Sequence, residues 1–229
     1  MKCLVTLFAG VGALALRGTA QIVVSTPLDL AITDGGGAVG VQSSISITTP
    51  LHVIGDVNVS IVIAPVAGDA AWNGDLYAYL SHGGQLVVLL NRIGRTASNP
   101  DGSPDNGLQV TFDDQAPGGD IHLHTPVVQP DPTETQLPLT GSWQPDGRSG
   151  IHPSSVLDTS PRLSSLANFN GMDPNGEWTL FVSDFGTGGR ARVLSWNLSV
   201  VAAVPEPVTL GTLSGVGLLA FALWRVRSR

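Results

Sequence analysis

A two-residue alternation of apolar and polar side chains constrains the fold of this chain more than any other feature. It is clearest over 44–48, 57–63 and 108–112, where turn-forming residues flank each segment. Successive side chains of a β-strand point to opposite faces, so the alternation predicts half-buried strands. Further strands are predicted at 75–80, 85–91, 178–182 and 193–200.

The rest of the body also favours an all-β domain. It shows no sustained period of 3.6 residues, which an amphipathic helix would need. Nearly all of its acids are aspartate, a turn residue, and only Glu134 and Glu177 depart from this. Gly83 and Gly84 predict a tight turn that joins two strands into a hairpin. Seven or eight short strands joined by such turns predict a β-sandwich.

The middle of the body is less regular. Residues 99–106 have the composition of a loop, and 125–161 hold seven prolines with little alternation. We expect this segment to wrap the sandwich as extended chain, although irregular segments of this length are uncommon in compact domains. No repeat or change of composition marks a second domain, so residues 21–203 are predicted to form one domain.

The N-terminal end has the pattern of a secretory signal peptide. Lys2 precedes an apolar stretch over 3–16, and small residues stand just before Gln21. We predict that residues 1–20 are a signal peptide and that the mature chain begins at Gln21. Cys3, the one cysteine of the sequence, lies in the removed segment. The mature domain is therefore expected to have no disulfide and no thiolate metal site.

The C-terminal end, residues 204–229, predicts one membrane span. An apolar run over 208–224 is just long enough to cross a hydrocarbon core as a helix. Arginines that follow such a run stay in the cytoplasm, so the body is predicted to lie on the opposite, non-cytoplasmic side of the membrane. The residues that flank the run are Val204, Pro205, Glu206 and Pro207 before it and Arg225, Arg227 and Arg229 after it.

The body is strongly acidic. Between Gln21 and Val204 it holds six arginines, no lysine and seventeen acids, which gives a net charge of about −11. A surface of this sign repels phosphate groups, so nucleic acid and anionic surfaces are excluded as partners.

The sequence gives no sign of a catalytic site. It contains no Gly-x-Ser-x-Gly element and no recognisable grouping of Ser, His and Asp, so we expect a protein that is not an enzyme. His122 and His124 would share one face of a strand with Asp120. That arrangement would bind a metal only with further ligands, and none is evident nearby.

Four loop aspartates are candidate ligands for calcium, which takes six to eight oxygen ligands. Asp113 and Asp114 follow one predicted strand, and Asp101 and Asp105 lie in the loop before it. Solvated turns are also rich in aspartate. A calcium site and a set of ordinary turn residues are both open, and no other cofactor is expected.

The tryptophans fall into two groups. Trp178 and Trp196 stand on predicted strands with apolar neighbours two residues away, which predicts buried positions. Trp72 and Trp143 stand in predicted loops near glycine, proline and aspartate. Each of these two could stack on a sugar ring or cover an edge of the sandwich.

Two segments resemble the P domain of proprotein convertases, the β-jelly-roll that follows the catalytic domain in subtilisin-like proteases. They are the hairpin that starts at Gly74 and the closing strands over 175–198. The matching residues are Gly74, Asp75, Leu76, Trp178, Asp184 and Trp196. The resemblance implies a jelly-roll-like β-sandwich over about 35–200, in which Asp75 and Asp184 tie loops to backbone amides. Some P domains hold calcium. Residues 70–73 are Ala-Ala-Trp-Asn, where the family often has His-Thr or His-Ser.

The tail resembles the PEP-CTERM sorting signal of Gram-negative bacteria, which combines Pro-Glu-Pro, one span and an arginine-rich end. This resemblance implies anchoring in the inner membrane and then cutting near Pro205–Pro207 by an exosortase-type enzyme. The domain would then reach the cell surface or the extracellular matrix of a biofilm. We therefore expect an exported module that binds polysaccharide or a partner protein. The alternative is an accessory P domain of a convertase-like serine protease system, with a protease as its partner.

Overall fold

The computed structural model describes residues 19–126 and 136–204, and in these residues nine β-strands form two sheets. The strands are β1 (Thr19–Ala31), β2 (Val41–Ile47), β3 (Ile54–Pro65), β4 (Leu76–His82), β5 (Gln85–Asn91), β6 (Leu108–Phe112), β7 (Leu139–Trp143), β8 (Gly176–Asp184) and β9 (Ala191–Ala203). Single 3-10 turns lie at Asn73–Asp75, Ile121–Leu123 and Leu166–Phe169.

The two sheets have different sizes. One sheet has five strands in the order β1-β9-β3-β6-β7, and the other has four in the order β2-β8-β4-β5. In the four-stranded sheet every neighbouring pair is antiparallel, whereas β6 and β7 run parallel in the five-stranded sheet. Residues Ala20–Ala203 form one compact unit, and the buried side chains of both sheets join in one core. The predicted all-β, two-sheet architecture is confirmed.

Seven of the nine described strands match predicted segments, and β1 and β7 do not. β1 contains Pro27, which a central strand would exclude but an edge strand tolerates, and β1 does lie at the edge of its sheet. β7 is a five-residue edge strand with Gly141 at its centre, inside the proline-rich segment. β7 lacks the alternation that identifies a half-buried strand, whereas β1 does alternate, with Ile22, Val24, Leu28 and Leu30 toward the core, but Val23 and Pro27 interrupt the pattern in the sequence.

Two tryptophans anchor the core, as predicted. Trp178 on β8 and Trp196 on β9 have no exposed surface. Each indole N–H donates a hydrogen bond at 3.0 Å, from Trp178 to the carbonyl oxygen of Pro174 and from Trp196 to Oγ of Ser43. These bonds satisfy the buried indole nitrogens. The ring of His82 stacks flat on Trp178 at 4.0 Å between centroids.

A buried ion network orders the irregular segment. The carboxylate of Asp146 is fully buried, 2.7 Å from Nδ1 of His122 and 3.5 Å from Nη1 of Arg148. Nη2 of Arg148 also lies 2.9 Å from the carboxylate of Asp120. A buried charge that loses its partner is strongly destabilising, so these groups have to stay together. Polar contacts therefore fix a segment that has little regular structure.

The same segment lies along β5, the edge strand of the four-stranded sheet. The backbone N–H of Asp146 donates to the carbonyl oxygen of Leu89 at 3.1 Å, and that of Gly147 donates to Val88 at 2.9 Å. The hydroxyl of Ser164 also lies near the amide of Val88. The edge of β5 is thereby covered by backbone rather than left open to solvent.

The interpretation of His122 and His124 as neighbours on one strand face was wrong. Residues Ile121–Leu123 form a 3-10 turn that is capped by the side chain of Asp120. The turn directs His122 to the buried carboxylate of Asp146, whereas Nε2 of His124 lies 2.8 Å from the carboxylate of Asp105. The two rings therefore serve different contacts.

The predictions for both ends of the chain fall mainly outside the described residues. These are the signal peptide over 1–20, the sorting tail over 204–229 and the span over 208–224. β1 begins at Thr19, two residues before the predicted first residue of the mature chain. Within residues 19–126 and 136–204, no helix has the length and apolar character needed to cross a membrane.

Replacing Trp178 with alanine should destabilise the domain by about 3–5 kcal/mol, because the change removes the largest side chain of a closed core. Trp72→Ala is the matched control, since 38% of Trp72 is exposed, and it should cost about 1 kcal/mol. Urea denaturation measures both free energies. Equal losses for the two variants would contradict the packing described above.

Candidate functional site

The pairing of β4 with β8 brings the two motif segments together. Leu76 lies opposite Asp184 and Tyr77 lies opposite Ser183 in this antiparallel pair. The carbonyl oxygen of Asp75, just before β4, accepts a hydrogen bond from the N–H of Phe185 at 2.8 Å. The carboxylates of Asp75 and Asp184, about a hundred positions apart in sequence, therefore lie at the same end of the sheet.

This end of the sheet contains a cavity of about 550 Å³, which we call the acidic cavity. Its wall combines two aromatic rings with charged groups and loop backbone. The principal lining residues are Trp72, Asp75, Arg92, Asp101, Phe185 and Gly186. Asp34 and Asp184 stand close enough to act electrostatically on Asp75. Two carboxylates, those of Asp75 and Asp101, and one guanidinium therefore line the cavity itself, and two further carboxylates lie near Asp75.

Arg92 holds the wall of the cavity in place. Its Nε donates to the carbonyl oxygen of Gly74 at 2.8 Å, and its Nη2 lies 3.4 Å from Oδ1 of Asp75. Its backbone has φ of 57°, the left-handed conformation that side chains other than glycine rarely adopt. Strain of this kind persists only where the surroundings fix it, as the two bonds of this side chain do.

Two glycines make the close approach possible. A side chain at Gly74 would collide with the carbonyl oxygen of Asp101, and one at Gly186 would collide with the carboxylate of Asp75. The Asp184 carboxylate accepts a hydrogen bond from the N–H of Gly186 at 2.9 Å. Asp184 thus ties the loop after β8 to a backbone amide, whereas the carboxylate of Asp75 contacts Arg92 instead.

Burial sets the protonation of this acidic pair. Burial is the largest cause that raises the pKa of Asp75, to about 6, although Arg92 acts in the opposite direction. Burial also raises the pKa of Asp184 to about 7, against the hydrogen bond from Gly186, and the negative charge of Asp75 adds to the rise. Burial therefore favours the protonated, neutral form of both carboxyl groups, and the charge of Arg92 offsets only part of this effect at Asp75.

A second depression adjoins the cavity on the outer face of the four-stranded sheet. We call it the aromatic groove, and its volume is about 530 Å³. Four half-buried rings of β4, β8 and the following loop line it, together with loop residues 150–153 and Ala38. The four rings are those of Tyr77, Tyr79, Phe181 and Phe185. Phe185 lines both the groove and the acidic cavity.

The rings of the groove contact one another in an ordered array. Tyr79 lies opposite Phe181 in the strand pair, and the two rings stack at 4.8 Å with an angle of 16°. Tyr77 meets Phe185 edge to face at 5.9 Å. Burial raises the pKa of Tyr77, so its hydroxyl stays protonated at neutral pH. The groove therefore presents flat apolar faces with hydroxyl groups beside them.

Ser183 supplies an unusual polar group to this groove. It stands between Phe181 and Phe185 on the same face of β8 and has no exposed surface. Its hydroxyl oxygen is buried and has no hydrogen-bond partner among the described residues. A buried hydroxyl without a partner costs free energy, which a ligand with a donor or acceptor would recover.

The four candidate calcium ligands do not come together. Asp101 and Asp105 precede β6 and Asp113 and Asp114 follow it, so roughly 17 Å of strand separates the pairs. Asp114 instead accepts hydrogen bonds from the N–H groups of Leu166 and Ala167, at the start of a 3-10 turn.

Asp105 and Asp113 also have hydrogen-bond partners within the protein. Asp113 accepts from the N–H of Gln115, and Asp105 accepts from Ser103 and contacts His124. In residues 19–126 and 136–204, no group of three or more His, Cys, Asp or Glu is placed to hold a metal ion. The geometry of the described chain thus favours turn and cap roles for these residues.

The loop tryptophans have separate surroundings. Trp72 is partly exposed and lines the acidic cavity. Trp143 lies on β7 rather than in a loop, packs against the core and donates to the carbonyl oxygen of Thr140.

Sequence reasoning missed Tyr77, Tyr79, Phe181 and Phe185 as site residues. Their alternation with buried aliphatic residues on β4 and β8 was the available signal.

Comparisons with known proteins give little for this fold. No family model and no curated protein matches the chain. Among solved structures, the chain is similar to part of the complex between the Aeromonas sobria serine protease and its chaperone, with 17% identity and a TM-score of 0.43. The match covers 83% of this chain but only 28% of the other. A likeness at this level defines neither a shared fold nor a shared activity.

The acidic pair should make the domain less stable as the pH rises. Asp75 and Asp184 bind protons more tightly when folded, so their stabilising effect is complete below about pH 4 and is lost through pH 6 to 7. We expect the free energy of unfolding to fall on the order of 3–4 kcal/mol between pH 5 and 8, of which Asp184 contributes the larger share. Urea denaturation at a series of pH values measures it.

The test variant is Asp184→Asn, which keeps an oxygen that can accept from the N–H of Gly186, and it should flatten the stability profile between pH 6 and 8. The control is Asp29→Asn, which changes an exposed carboxylate of β1 and should leave the profile as it is. Asp173, with a pKa of about 2, acts only in more acidic solution and in the opposite direction. A profile that Asp184→Asn leaves unchanged would contradict the assignment.

Proposed function

We propose that this chain is an exported, non-enzymatic β-sandwich module that binds polysaccharide through the aromatic groove. The observation that carries the proposal is the array of four half-buried rings that lines the groove, together with the buried hydroxyl of Ser183, which has no hydrogen-bond partner within residues 19–126 and 136–204. A surface of this kind fits a ligand that has both flat apolar faces and many hydroxyl groups.

The chemistry of a sugar ring matches this surface. The C–H groups of a pyranose form an apolar face that packs on an aromatic ring, and its hydroxyl groups point outward from the rim. Stacked Tyr79 and Phe181 offer the ring face, while half-buried Tyr77 offers a hydroxyl group for hydrogen bonds. A site with apolar walls and a few placed polar groups is the usual form of a small-molecule pocket.

The charge of the domain narrows the ligand further. With about −11 charges in the body, a polyanion such as nucleic acid or a strongly acidic polysaccharide would be repelled. Neutral and cationic polysaccharides are therefore the candidate ligands that the charge of the domain allows. This fits the resemblance of the tail to a signal found on proteins linked to secreted polysaccharide.

Tyr79→Ala should weaken binding to the producing cell's own exopolysaccharide, or to a neutral β-glucan that binds, by at least about tenfold, because it removes a central stacking ring. Tyr79→Phe keeps the ring and should stay within about threefold of the parent. Leu86→Ala, an exposed apolar residue on the same sheet but outside the groove, should change nothing. Calorimetric titration measures the affinities.

The outcome that would contradict the proposal is affinity that all three variants share with the parent, or no binding by any polysaccharide tested. If no polysaccharide binds, the alternative function is favoured, which is that of an accessory P domain for a convertase-like serine protease. The adjacency of the two motif segments on β4 and β8 favours that alternative. A stable complex with a protease of the same cell would then be the expected finding.

We propose further that an exosortase-type enzyme processes the tail after export through the inner membrane. Glu206→Gln should prevent cutting, because it alters the centre of Pro205–Pro207, and the protein should stay with the membrane fraction. Glu177→Gln, the change of an exposed glutamate on β8, is the matched control. Immunoblots of an internally tagged chain in the producing bacterium measure the size and location. Equal processing of both variants would contradict the sorting proposal.

A further inference from the structure

The acidic cavity and the aromatic groove are parts of one surface. Phe185 lines both, and Ser183 and Asp184 lie next to each other on β8 with their side chains directed to the groove and toward the carboxylate cluster respectively. A chain of sugar rings that stacks in the groove would therefore run past the carboxylates. The groups that meet it there are carboxyl groups, of which that of Asp101 is exposed to solvent.

We infer that the ligand of this surface is an amino-sugar polymer whose free ammonium groups enter the acidic cavity while its rings stack in the groove. The inference rests on the proposed polysaccharide-binding function and adds the chemical class of the sugar. Two independent features support it, the charge of the cavity and the unpaired hydroxyl in the groove.

The charge of the cavity is complementary to an ammonium group. Asp75 and Asp101 line the cavity, and its one guanidinium, that of Arg92, is already engaged with Gly74 and Asp75. Asp34 and Asp184 lie close enough to act electrostatically on this pair. Of these carboxylates, Asp101 is exposed at the mouth and lines the cavity. It is therefore free to meet a cation that arrives from solvent.

The aromatic walls of the cavity fit the same group. Trp72 and Phe185 stand on the wall beside the carboxylates. A cation over an indole face is attracted by the ring quadrupole as well as by the acids.

The groove explains why a sugar amine suits the surface better than a lysine side chain. A lysine-rich peptide would satisfy the carboxylates but would leave the stacked Tyr79 and Phe181 without a flat partner. It would also offer no ring of hydroxyl groups near Ser183. The surface as a whole matches a ligand that carries ring faces, hydroxyl groups and amines together.

The test compares a hexamer of β-1,4-linked glucosamine with the hexamer of N-acetylglucosamine, which lacks the charge. Purified full-length protein is kept in a detergent without a sugar head group, and affinities are measured by calorimetry at pH 6.5. The glucosamine hexamer should bind at least about tenfold more tightly in low salt, as for a charge-assisted hydrogen bond, and the preference should shrink in 0.5 M salt.

Asp101→Asn should reduce that preference to within about threefold and leave the affinity for the N-acetylated hexamer unchanged. Asp29→Asn, on the five-stranded sheet and outside both depressions, should preserve it. Asp75→Asn is a second cavity variant with the same expected result, and circular dichroism verifies that each variant is folded.

Several results would overturn the inference. Equal affinity for the two hexamers, or a preference that survives both cavity variants, would refute the cation site while the polysaccharide-binding proposal stands. If Asp29→Asn also removed the preference for the glucosamine hexamer, that preference would be due to the net negative charge of the domain and not to the cavity. If tetralysine bound as tightly as the glucosamine hexamer and Tyr79→Ala had no effect on its affinity, the ligand would be a basic peptide instead. Failure of every sugar to bind would refute the proposed function itself.

Discussion

The register between β4 and β8 is the constraint on which the rest of this molecule depends. With Ala78 opposite Val182 and Leu80 opposite Leu180, the inner face of the pair closes the core. The same register sets Tyr79 against Phe181 on the outer face. A slip of one residue would exchange the two faces, so core and groove could not form independently.

The end of the same pair determines the electrostatics. Because β4 starts where β8 ends, the carboxylates just outside the strands have to share one small space. The protein reduces the cost with the guanidinium of Arg92 and by leaving positions 74 and 186 without side chains. What remains is a region where carboxyl groups are concentrated and only partly compensated by positive charge, next to a groove that four aromatic rings line on one side.

The sequence predicts the elements of this fold better than the site that they build. Alternation identifies seven strands and both buried tryptophans, because burial on one face is a local pattern. The array of Tyr79 and Phe181 is different, since it arises only when two strands a hundred residues apart pair in one register. The four candidate calcium ligands are not brought together for the opposite reason, and calcium binding itself stays a prediction. Asp105 and Asp113 are close in sequence, but the extended backbone of β6 holds them apart.

The ion network around Asp146 has a consequence for the behaviour of the protein in concentrated solution. The segment that it holds in place covers the edge of β5, whose apolar run over 86–90 would otherwise offer open backbone groups to another chain. Exposed edges of that composition promote aggregation by strand pairing. The buried contacts of Asp146 with His122 and Arg148 thus keep this strand edge covered as well as ordering the loop to which they belong.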